Sequence, residues 1–496
     1  MAGTAYERLS AQDRSFLVFE DASAHMHLGG LALLEAGPLA TADGGVDVER
    51  LRAYIASRLH LAPRYRQRLA WVPLLNRPVW VDDEHFNLGY HVRHTAVPRP
   101  GGDRQLKALV ARIMSQQLDR GKPLWEVWII EGLQGGRFAI LAKLHHAVAD
   151  GISAFDLFSA LLSPAPDATL DEPEPWTPRH TPRPWTLLRD ELVRQAAAPL
   201  ELARGLTRAL GEPKRLWDEM TERVRAVWET VGAGLRLPPS TPLNRPIGPH
   251  RRFDWLTLDL AEVKAVKNRL GGTVNDVVLT TVAGAVRRFL EPRGVKVSGL
   301  DYRVVVPVSL RSEDERGVTN NRASAWLTAL PVGERDPRRR LDLVRTATER
   351  LRVSKQVLGP EVLGQAAEYA FPGVFTVGIR LLARLHPYNL IVTNIAGPQV
   401  PLYLLGARLL TGFPQVPLFE NQGLGVALFS YGGNLCWGFN ADWDVMPDLP
   451  EFVEAVATSF EELRQAASAE EGATSAAERP AGGAEHHAAD GLSGTG

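Results

Sequence analysis

Two adjacent histidines followed by an acid are the residues of this sequence whose types and spacing could do chemistry. They occur in KLHHAVADG, residues 143–151, which holds His145, His146 and Asp150. An unperturbed imidazole has a pKa of about 6.5, so its neutral form can accept a proton from a reacting group near neutral pH. An acid placed a few residues later can fix the loop around the imidazole, either as a helix cap or through its charge. The stretch is a candidate proton-transfer site.

A near copy of this stretch, EHHAADG, occurs at residues 485–491 near the end of the chain. Its histidine His487 lies three residues before Asp490, whereas His146 lies four residues before Asp150. The copy stands in an Ala/Gly/Glu-rich segment that has little to bury, and catalysis needs side chains that are held rigidly. We therefore expect the second copy to be without function.

The first copy follows a predicted pair of strands, Trp125–Glu131 and Arg137 to about His145, joined by a turn at Gly135-Gly136. Successive side chains of a strand point to opposite faces, so His145 and His146 cannot both aim at one cavity. A satisfied buried imidazole is the structural alternative for either ring. A helix, ISAFDLFSALL, is predicted after the motif, with Asp150 at its start as a cap or a charge partner.

Composition narrows the class of protein. The chain has 496 residues, 45% of them hydrophobic, with 56 Lys and Arg against 57 Asp and Glu. This balance provides no basic field for nucleic acid or for non-specific binding to an anionic membrane. The chain has a single cysteine, Cys436, which excludes an intramolecular disulfide and a metal site built from several cysteines. A chain without disulfides fits the reducing cytoplasm. His91 and His94 lack matching metal-ligand partners, so no metal is expected.

Neither end of the chain nor its apolar stretches suggest export or a membrane span. The first residues carry acids and an arginine where a signal peptide needs an apolar core, and no run approaches the roughly 20 apolar residues of a spanning helix. The prediction is a cytoplasmic protein, with peripheral contact at the inner membrane face or at lipid inclusions left open.

The pattern of elements divides the chain into two α/β regions. We expect an N-terminal half over residues 5–163, a Pro-rich linker and helical crossover over 164–250, a C-terminal half over 251–466, and a disordered tail over 467–496. The final helix is predicted from Pro450 to about Ala466. In the crossover, helices over 185–237 are expected to break at Pro199 and near Gly211-Glu212-Pro213.

The crossover helices have one apolar stripe, formed by Leu216, Trp217, Met220, Val224, Val227 and Trp228. The stripe can pack on the core of the protein, or it can face lipid, since its tryptophans alternate with basic residues. The sequence leaves both interpretations open.

The histidine motif and several other stretches of the chain are similar to those of a known family. Residues 145–151, HHAVADG, resemble the HHxxxDG signature of CoA-dependent acyltransferases of the chloramphenicol acetyltransferase-like fold. From about Leu9 to Leu463 the chain resembles the bacterial wax ester synthase/diacylglycerol acyltransferase family. The supporting stretches are LSAQDRSFLVFED, MHLGGLALLE, FNLGYHVRH, LDRGKPLWE, LNRPIGPHRRF, TVNDVVL, VVVPVSLR, TNIAGPQVPLYLLGA and GLGVALFSYGGNL.

The resemblance implies a fold and an activity. The fold would be two similar halves, each a mixed sheet flanked by helices, with a channel between them that leads to His146. The activity would be transfer of a fatty acyl group from acyl-CoA to diacylglycerol or a long-chain alcohol, with no cofactor beyond the acyl-CoA substrate. His146 would be the general base, and His145, Asp150 and Gly151 would shape the site.

Two alternatives stay open at this point. A condensation-type enzyme that forms amides has a similar motif, and a noncatalytic protein of lipid-inclusion surfaces would also fit the Trp-bearing helices. An acyl-enzyme intermediate is not expected, because Cys436 lies within a hairpin strand and the chain has no GxSxG motif.

The stretch GGTVNDVV predicts a capped helix start. Thr273 and Asp276 match a capping box, which places Asn275 in the first helical turn, where free backbone N–H groups favour a developing negative charge. An ordinary helix start is the alternative; the Asn-Asp pair matches a motif of the family, which favours proximity to the site. Trp125 is expected to be a core residue. Arg311 could bind a CoA phosphate or form a surface ion pair.

Overall fold

The protein consists of two mixed sheets with helices packed on them and a third, smaller sheet. The structure, a computed structural model, describes residues 5–149, 160–167, 170–209, 238–309, 323–354 and 387–477. Within these ranges there are two six-stranded sheets and one three-stranded sheet. The prediction of two α/β halves, each built on a mixed sheet, is confirmed.

The N-terminal sheet has the strand order β12-β13-β2-β7-β6-β5. All neighbours are antiparallel except β5 and β6. Its strands are β2 (His27–Glu35), β5 (Val92–Ala96), β6 (Trp125–Leu133), β7 (Arg137–His145), β12 (Tyr403–Leu404) and β13 (Ala407–Gln415). The predicted hairpin is therefore confirmed as β6 and β7 at the centre of this sheet.

The C-terminal sheet has the order β10-β9-β11-β14-β15-β8, with parallel pairing on both sides of β11. Its strands are β8 (Arg251–Asp259), β9 (Tyr302–Ser309), β10 (Ala323–Leu330), β11 (Leu390–Ala396), β14 (Leu424–Tyr431) and β15 (Asn434–Asp442). The predicted turn of the β14–β15 hairpin is confirmed at Gly432 and Gly433, which have φ of 53° and 83°. Such left-handed positions are those that a tight hairpin turn requires.

The C-terminal part of the chain contributes two strands to the N-terminal sheet, which the sequence analysis did not predict. β12 and β13 lie in the chain segment assigned to the C-terminal half, but they pair with each other and β13 pairs with β2 of the N-terminal sheet. β13 crosses the C-terminal sheet at Gly438, where a Cβ atom would lie 1.9 Å from the carbonyl oxygen of Pro414. Only glycine allows this close crossing. Because β13 pairs with β2, the boundary at residue 251 does not separate two independent sheets.

The small sheet and the helices complete the described structure. The small sheet has the order β1-β4-β3, with β1 (Tyr6–Arg8), β3 (Gln67–Val72) and β4 (Arg77–Asp82). The helices are α1 (Ala11–Phe19), α2 (Val48–Arg58), α3 (Leu88–His91), α4 (Asp103–Met114), α5 (Pro184–Ala209), α6 (Leu260–Leu270), α7 (Val274–Leu290), α8 (Pro337–Ser354) and α9 (Leu449–Ala477). Within the described ranges, no helix combines the length and the apolar character that crossing a bilayer requires.

Two helix boundaries differ from the prediction. α5 continues across Pro199, where a break was expected; a proline removes a single intrahelical N–H group, and the turns on either side remain helical. α9 extends to Ala477, and Ala467 is fully buried in the C-terminal core. The tail prediction was therefore wrong for residues 467–477. The apolar stripe at 216–228 and the motif copy at 485–491 lie outside the described residues.

A small apolar cluster joins the two halves. Ala24 and Met26 of the N-terminal half are buried with Ile247 and Leu418 from the segments around the C-terminal sheet. Three phenylalanines are packed against this cluster; they are Phe16, Phe19 and Phe419. Burial of apolar surface at this junction holds the halves together.

Candidate active site

The histidine motif lies at the end of a central strand, as the sequence predicts. β7 ends at His145, and His146 begins a 3₁₀ turn that runs to Ala149. The backbone N–H of His145 donates to the carbonyl of Leu124 at 3.0 Å, and that of His146 donates to the carbonyl of Met26 at 2.8 Å. The backbone on both sides of the motif thus anchors the rings. Asp150 and Gly151 lie outside the described residues.

His145 is fully buried and has a defined tautomer. Its Nδ1 accepts a hydrogen bond from the backbone N–H of Ala147 at 3.0 Å, so the ring proton belongs on Nε2. Nε2 lies 3.5 Å from Oε2 of Glu20. A ring whose two nitrogens are turned toward the protein in this way is not free to exchange protons with a substrate, and it stabilises the turn that carries His146.

His146 has a different environment. The residue as a whole is half-buried, and its ring stacks on Phe16, with ring centroids 3.7 Å apart and an angle of 21° between the planes. Burial among protein atoms lowers the pKa of His146 to about 4, and His145 lowers it further, while a backbone hydrogen bond opposes the shift. The ring is therefore neutral at physiological pH and can accept a proton.

Glu20 is a site residue that the sequence reasoning missed. It follows α1, its side chain is 4% exposed, and its Oε2 accepts hydrogen bonds from Nε and Nη2 of Arg120 at 2.8 and 2.5 Å. Burial acts to raise the pKa of Glu20, but His145 and Arg120 stabilise the carboxylate and lower it overall. The only available signal was the acid itself, which ends the apolar run FLVF.

Further cationic and imidazole groups are buried behind His145. Lys143, on the same face of β7, donates to the carbonyls of Ile113 and Gln116 at the end of α4. Burial lowers its pKa to about 8, although Glu126 opposes the shift. Burial also lowers the pKa of His27 well below its ordinary value, and Lys143 adds to that effect. These groups tie β2, β7 and α4 together beneath the motif.

The position of Phe16 places His146 at the junction of the halves. Phe16 packs on the apolar cluster that contains Met26 from one half and Leu418 from the other. The ring of His146 is consequently next to the surface where the two halves meet, and part of the residue's surface is exposed there. This is the place where an apolar acyl chain would find apolar contacts.

Asn275 and Asp276 begin α7, as the capping-box pattern predicts. Asp276 is buried, and its carboxylate accepts from the N–H and hydroxyl of Thr273 at 2.8 and 2.7 Å and from the hydroxyl of Thr348 at 2.8 Å. Asn275 is partly exposed. In the part of the chain that is described, neither residue hydrogen-bonds to His145 or His146, so their relation to the reaction stays a prediction.

Trp125 and Cys436 have structural positions. Trp125 is buried, its indole N–H donates to the carbonyl of Tyr65 at 2.7 Å, and His91 stacks on it at 4.6 Å; the expected core role is confirmed. Cys436 is buried beside Thr411, and burial raises the pKa of its thiol, which opposes a nucleophilic thiolate. Arg311 lies outside the described residues.

The remaining histidine candidates are not arranged as metal ligands. His94 pairs with Glu131 at 3.3 Å, apart from His91. Among the described residues, no three or more His, Cys, Asp or Glu side chains form a group that could hold a metal ion.

Comparison with known proteins assigns the family. Residues 9–278 match the model of the wax ester synthase/diacylglycerol acyltransferase catalytic domain, and residues 319–464 match the C-terminal domain of the same family. The first match alone covers more than half of the chain. The chain belongs to this family. The resemblance inferred from the motifs is confirmed, and the catalytic-domain match includes the histidine motif, Phe16 and Glu20.

Curated relatives of the family match over most of the chain. A Mycobacterium tuberculosis protein named a diacylglycerol O-acyltransferase is 33% identical over 467 residues, covering 92% of this chain and 90% of the relative. A Mycobacterium bovis protein of the same name is 34% identical over 457 residues, covering 90% of this chain and 94% of the relative.

Solved structures agree with the assignment. The wax ester synthase/diacylglycerol acyltransferase from Marinobacter aquaeolei VT8 is 26% identical, with a TM-score of 0.65 and coverage of 93% of this chain and all of that one. The first condensation domain of the CDA synthetase has a TM-score of 0.52 at 16% identity, covering 93% and 97%, which shows a shared fold only. The family assignment makes the chain an acyl-CoA-dependent acyltransferase. The amide-forming and noncatalytic alternatives are not favoured.

Proposed function

We propose that this family member transfers a fatty acyl group from acyl-CoA to the hydroxyl group of diacylglycerol or of a long-chain alcohol, with His146 as the general base. The acceptor oxygen attacks the thioester carbonyl as a ring nitrogen of His146 takes its proton. The C–O bond forms, the C–S bond breaks, and the proton passes from His146 to the departing sulfur, so that free CoA and an ester are the products.

The state of the His146 ring is the observation that carries this proposal. The ring is neutral, it belongs to a residue that is only half-buried, and the backbone of that residue is fixed at the junction of the halves. His145 cannot take this role in the same conformation, because its Nδ1 already accepts from Ala147 and its Nε2 faces Glu20. This difference between the two adjacent rings supports His146, rather than His145, as the base.

A base with a pKa of about 4 is weak before substrate binds. Its basicity should rise during the reaction. Negative charge develops on the thioester oxygen as the proton moves to the ring, and this charge stabilises the adjacent imidazolium. We propose that the first turn of α7 supplies the donors for that oxyanion, through its free backbone N–H groups and through the side-chain amide of Asn275. The CoA thiol is a good leaving group, so the proposed transfer uses neither a metal nor a further cofactor.

The proposed acceptors are lipids, so the enzyme must reach them at a lipid surface. The relatives carry diacylglycerol O-acyltransferase in their names, and the matching solved structure is named both a wax ester synthase and a diacylglycerol acyltransferase. Such acceptors partition into lipid phases. We therefore propose that the enzyme acts as a peripheral protein on a lipid surface, with acyl-CoA and acceptor entering between the halves.

An acceptor panel tests the proposal. Purified full-length protein is given palmitoyl-CoA with diacylglycerol, hexadecanol or hexadecylamine, and both thiol release and the lipid product are measured. The proposal predicts esters and a matching amount of CoA. Amide formation without ester formation would instead indicate a condensation-type enzyme, and lipid binding without CoA release would indicate a noncatalytic protein.

A further inference from the structure

Over residues 184–196, where its side chains are described, helix α5 has one buried apolar face and one exposed apolar face. Leu187 and Leu188 are buried against Val72, Val79 and Val81 of the small sheet. Residues on the opposite side follow helical spacing and include Trp185, Arg189 and Leu192. The exposed fractions there are 75% for Trp185, 50% for Leu192 and 64% for the adjacent Val193.

The tip of the β3–β4 hairpin also has an exposed apolar side chain. Leu74 is 88% exposed in the turn between the two strands. Its neighbour Leu75 packs on the cluster that holds Leu187 and Leu188, which places the tip beside the first turns of α5. We name the set Leu74, Trp185, Arg189, Leu192 and Val193 the α5 face.

The charges around the α5 face favour an anionic partner. Glu191 points toward the small sheet, where Arg77 at 2.6 Å and Arg194 at 2.7 Å neutralise it. Asp190 accepts from the hydroxyl of Tyr6 at 3.3 Å and pairs with Arg189 at 3.0 Å. Arg183 is exposed at the start of the helix, and Arg189 is 73% exposed despite its pairing. The four arginines, Arg77, Arg183, Arg189 and Arg194, outnumber the two acids, Asp190 and Glu191, so this region carries a net positive charge.

We infer that the α5 face docks the enzyme on a phospholipid bilayer that contains anionic headgroups. Tryptophan and leucine side chains interleaved with arginines are the composition of surfaces that rest in the headgroup region, with the arginines on phosphate and the apolar groups below it. The inference deepens the proposed function, because it names the surface through which an acyltransferase for lipid acceptors reaches them. With so few apolar side chains inserted, binding should be reversible and sensitive to salt.

Vesicle sedimentation tests the inference with a matched pair of variants. Full-length wild type, Leu192→Glu and Leu343→Glu are mixed with sucrose-loaded vesicles of phosphatidylcholine, with or without phosphatidylglycerol. Leu343 lies on α8 and is 51% exposed, so it carries the same substitution at equal exposure outside the α5 face. Thermal melting confirms that each variant is folded.

The expected result is binding of wild type and Leu343→Glu to the anionic vesicles, weaker binding to phosphatidylcholine alone, and a loss of about tenfold or more in affinity for Leu192→Glu. Equal binding of Leu192→Glu and wild type would overturn the inference. It would also be overturned if wild type bound neither kind of vesicle, or bound both kinds equally well. CoA release by wild type with hexadecanol in detergent micelles is measured separately. Its failure would count against the proposed function, whereas failure of vesicle binding alone counts against the docking surface.

Discussion

Phe16 stacks on the ring of His146 with centroids 3.7 Å apart, although 130 positions, 146 minus 16, separate the two residues along the chain. The aromatic face excludes water from one side of the imidazole. This contact is part of the burial that lowers the pKa of His146 to about 4. A helix between β1 and β2 thus contributes to the protonation state of a residue that follows β7.

Removal of this aromatic face should raise the pKa of His146. In Phe16→Ala, water reaches the ring, and the acid limb of the pH profile of kcat/KM should move from about 4 toward the ordinary value of 6.5. The change has a definite sign: activity at pH values between these two should fall, because the protonated ring cannot accept a proton. The measurement is kcat/KM for CoA release across pH.

Phe19→Ala is the control for the Phe16 variant. Phe19 contacts Phe16 and Phe419 edge-on, at 6.4 and 5.7 Å, and it belongs to the same apolar junction. Its removal should leave the acid limb in place. An unchanged limb in Phe16→Ala, or an equal displacement in both variants, would contradict the role given to the stacking contact.

His145 should tolerate a substitution that keeps its acceptor atom. In His145→Asn, Oδ1 can replace Nδ1 as the acceptor for the N–H of Ala147, whereas His145→Ala leaves that buried donor unsatisfied. We expect the alanine variant to lose about 2 kcal/mol of unfolding free energy and more activity than the asparagine variant. Denaturant unfolding and kcat are measured on both proteins. Equal effects of the two substitutions would show that the hydrogen bond to Ala147 does not hold the turn.

Local pattern predicted the motif strand well, because its determinants are local. The alternation of β6 and β7, their glycine turn and the capping box at Thr273 all depend on residues within a few positions of one another. The two rings have different environments, as expected, but His146 lies in the 3₁₀ turn after the strand and not within the strand. The function was predicted from the family resemblance, and the matches to both family domains confirm that resemblance.

Contacts between distant segments were not predictable from one sequence. Glu20 reaches His145 and Arg120 only because α1 folds over the end of β7, and no spacing rule joins these positions. The exchange of β13 into the N-terminal sheet depends on long-range pairing with β2. The continuation of α5 through Pro199 shows that neighbouring turns can override a single unfavourable residue.

The Glu20 carboxylate should contribute to stability in a pH-dependent way. Glu20→Gln removes the buried charge from Arg120 and should cost about 2 kcal/mol, less than for a fully buried pair because Arg120 is 37% exposed. Since the pKa of Glu20 is lowered from 4.5 in the folded state, its contribution is present above that pH and is lost as pH falls through the folded value. Urea unfolding at neutral and acid pH measures both effects.

The exposed pair of Arg464 and Glu461 is the control for Glu20. Both of its side chains are 43% exposed, so Glu461→Gln should change stability little at any pH. A Glu20→Gln protein as stable as Glu461→Gln would refute the idea that Glu20 anchors the site.

Asn275 and Asp276 should have separable effects although they are adjacent. Asp276→Ala removes the carboxylate that accepts from Thr273 in the capping box and from the hydroxyl of Thr348, so the free energy of unfolding should fall by about 2 kcal/mol. Asn275→Ala makes no comparable structural loss and should lower kcat with little change in melting temperature. Thermal melting and kcat are measured for each variant. An Asn275→Ala enzyme with wild-type kcat would remove that residue from the proposed oxyanion site.

The central claim, that His146 accepts the proton of the acceptor hydroxyl, is tested most directly by replacing His146 with alanine. Initial rates of CoA release from palmitoyl-CoA are measured with diacylglycerol and with hexadecanol, for wild type and for a His146→Ala protein shown by thermal melting to be folded. The account predicts a loss of about 100-fold or more in kcat with both acceptors. Release of CoA by the folded variant at the wild-type rate would contradict it.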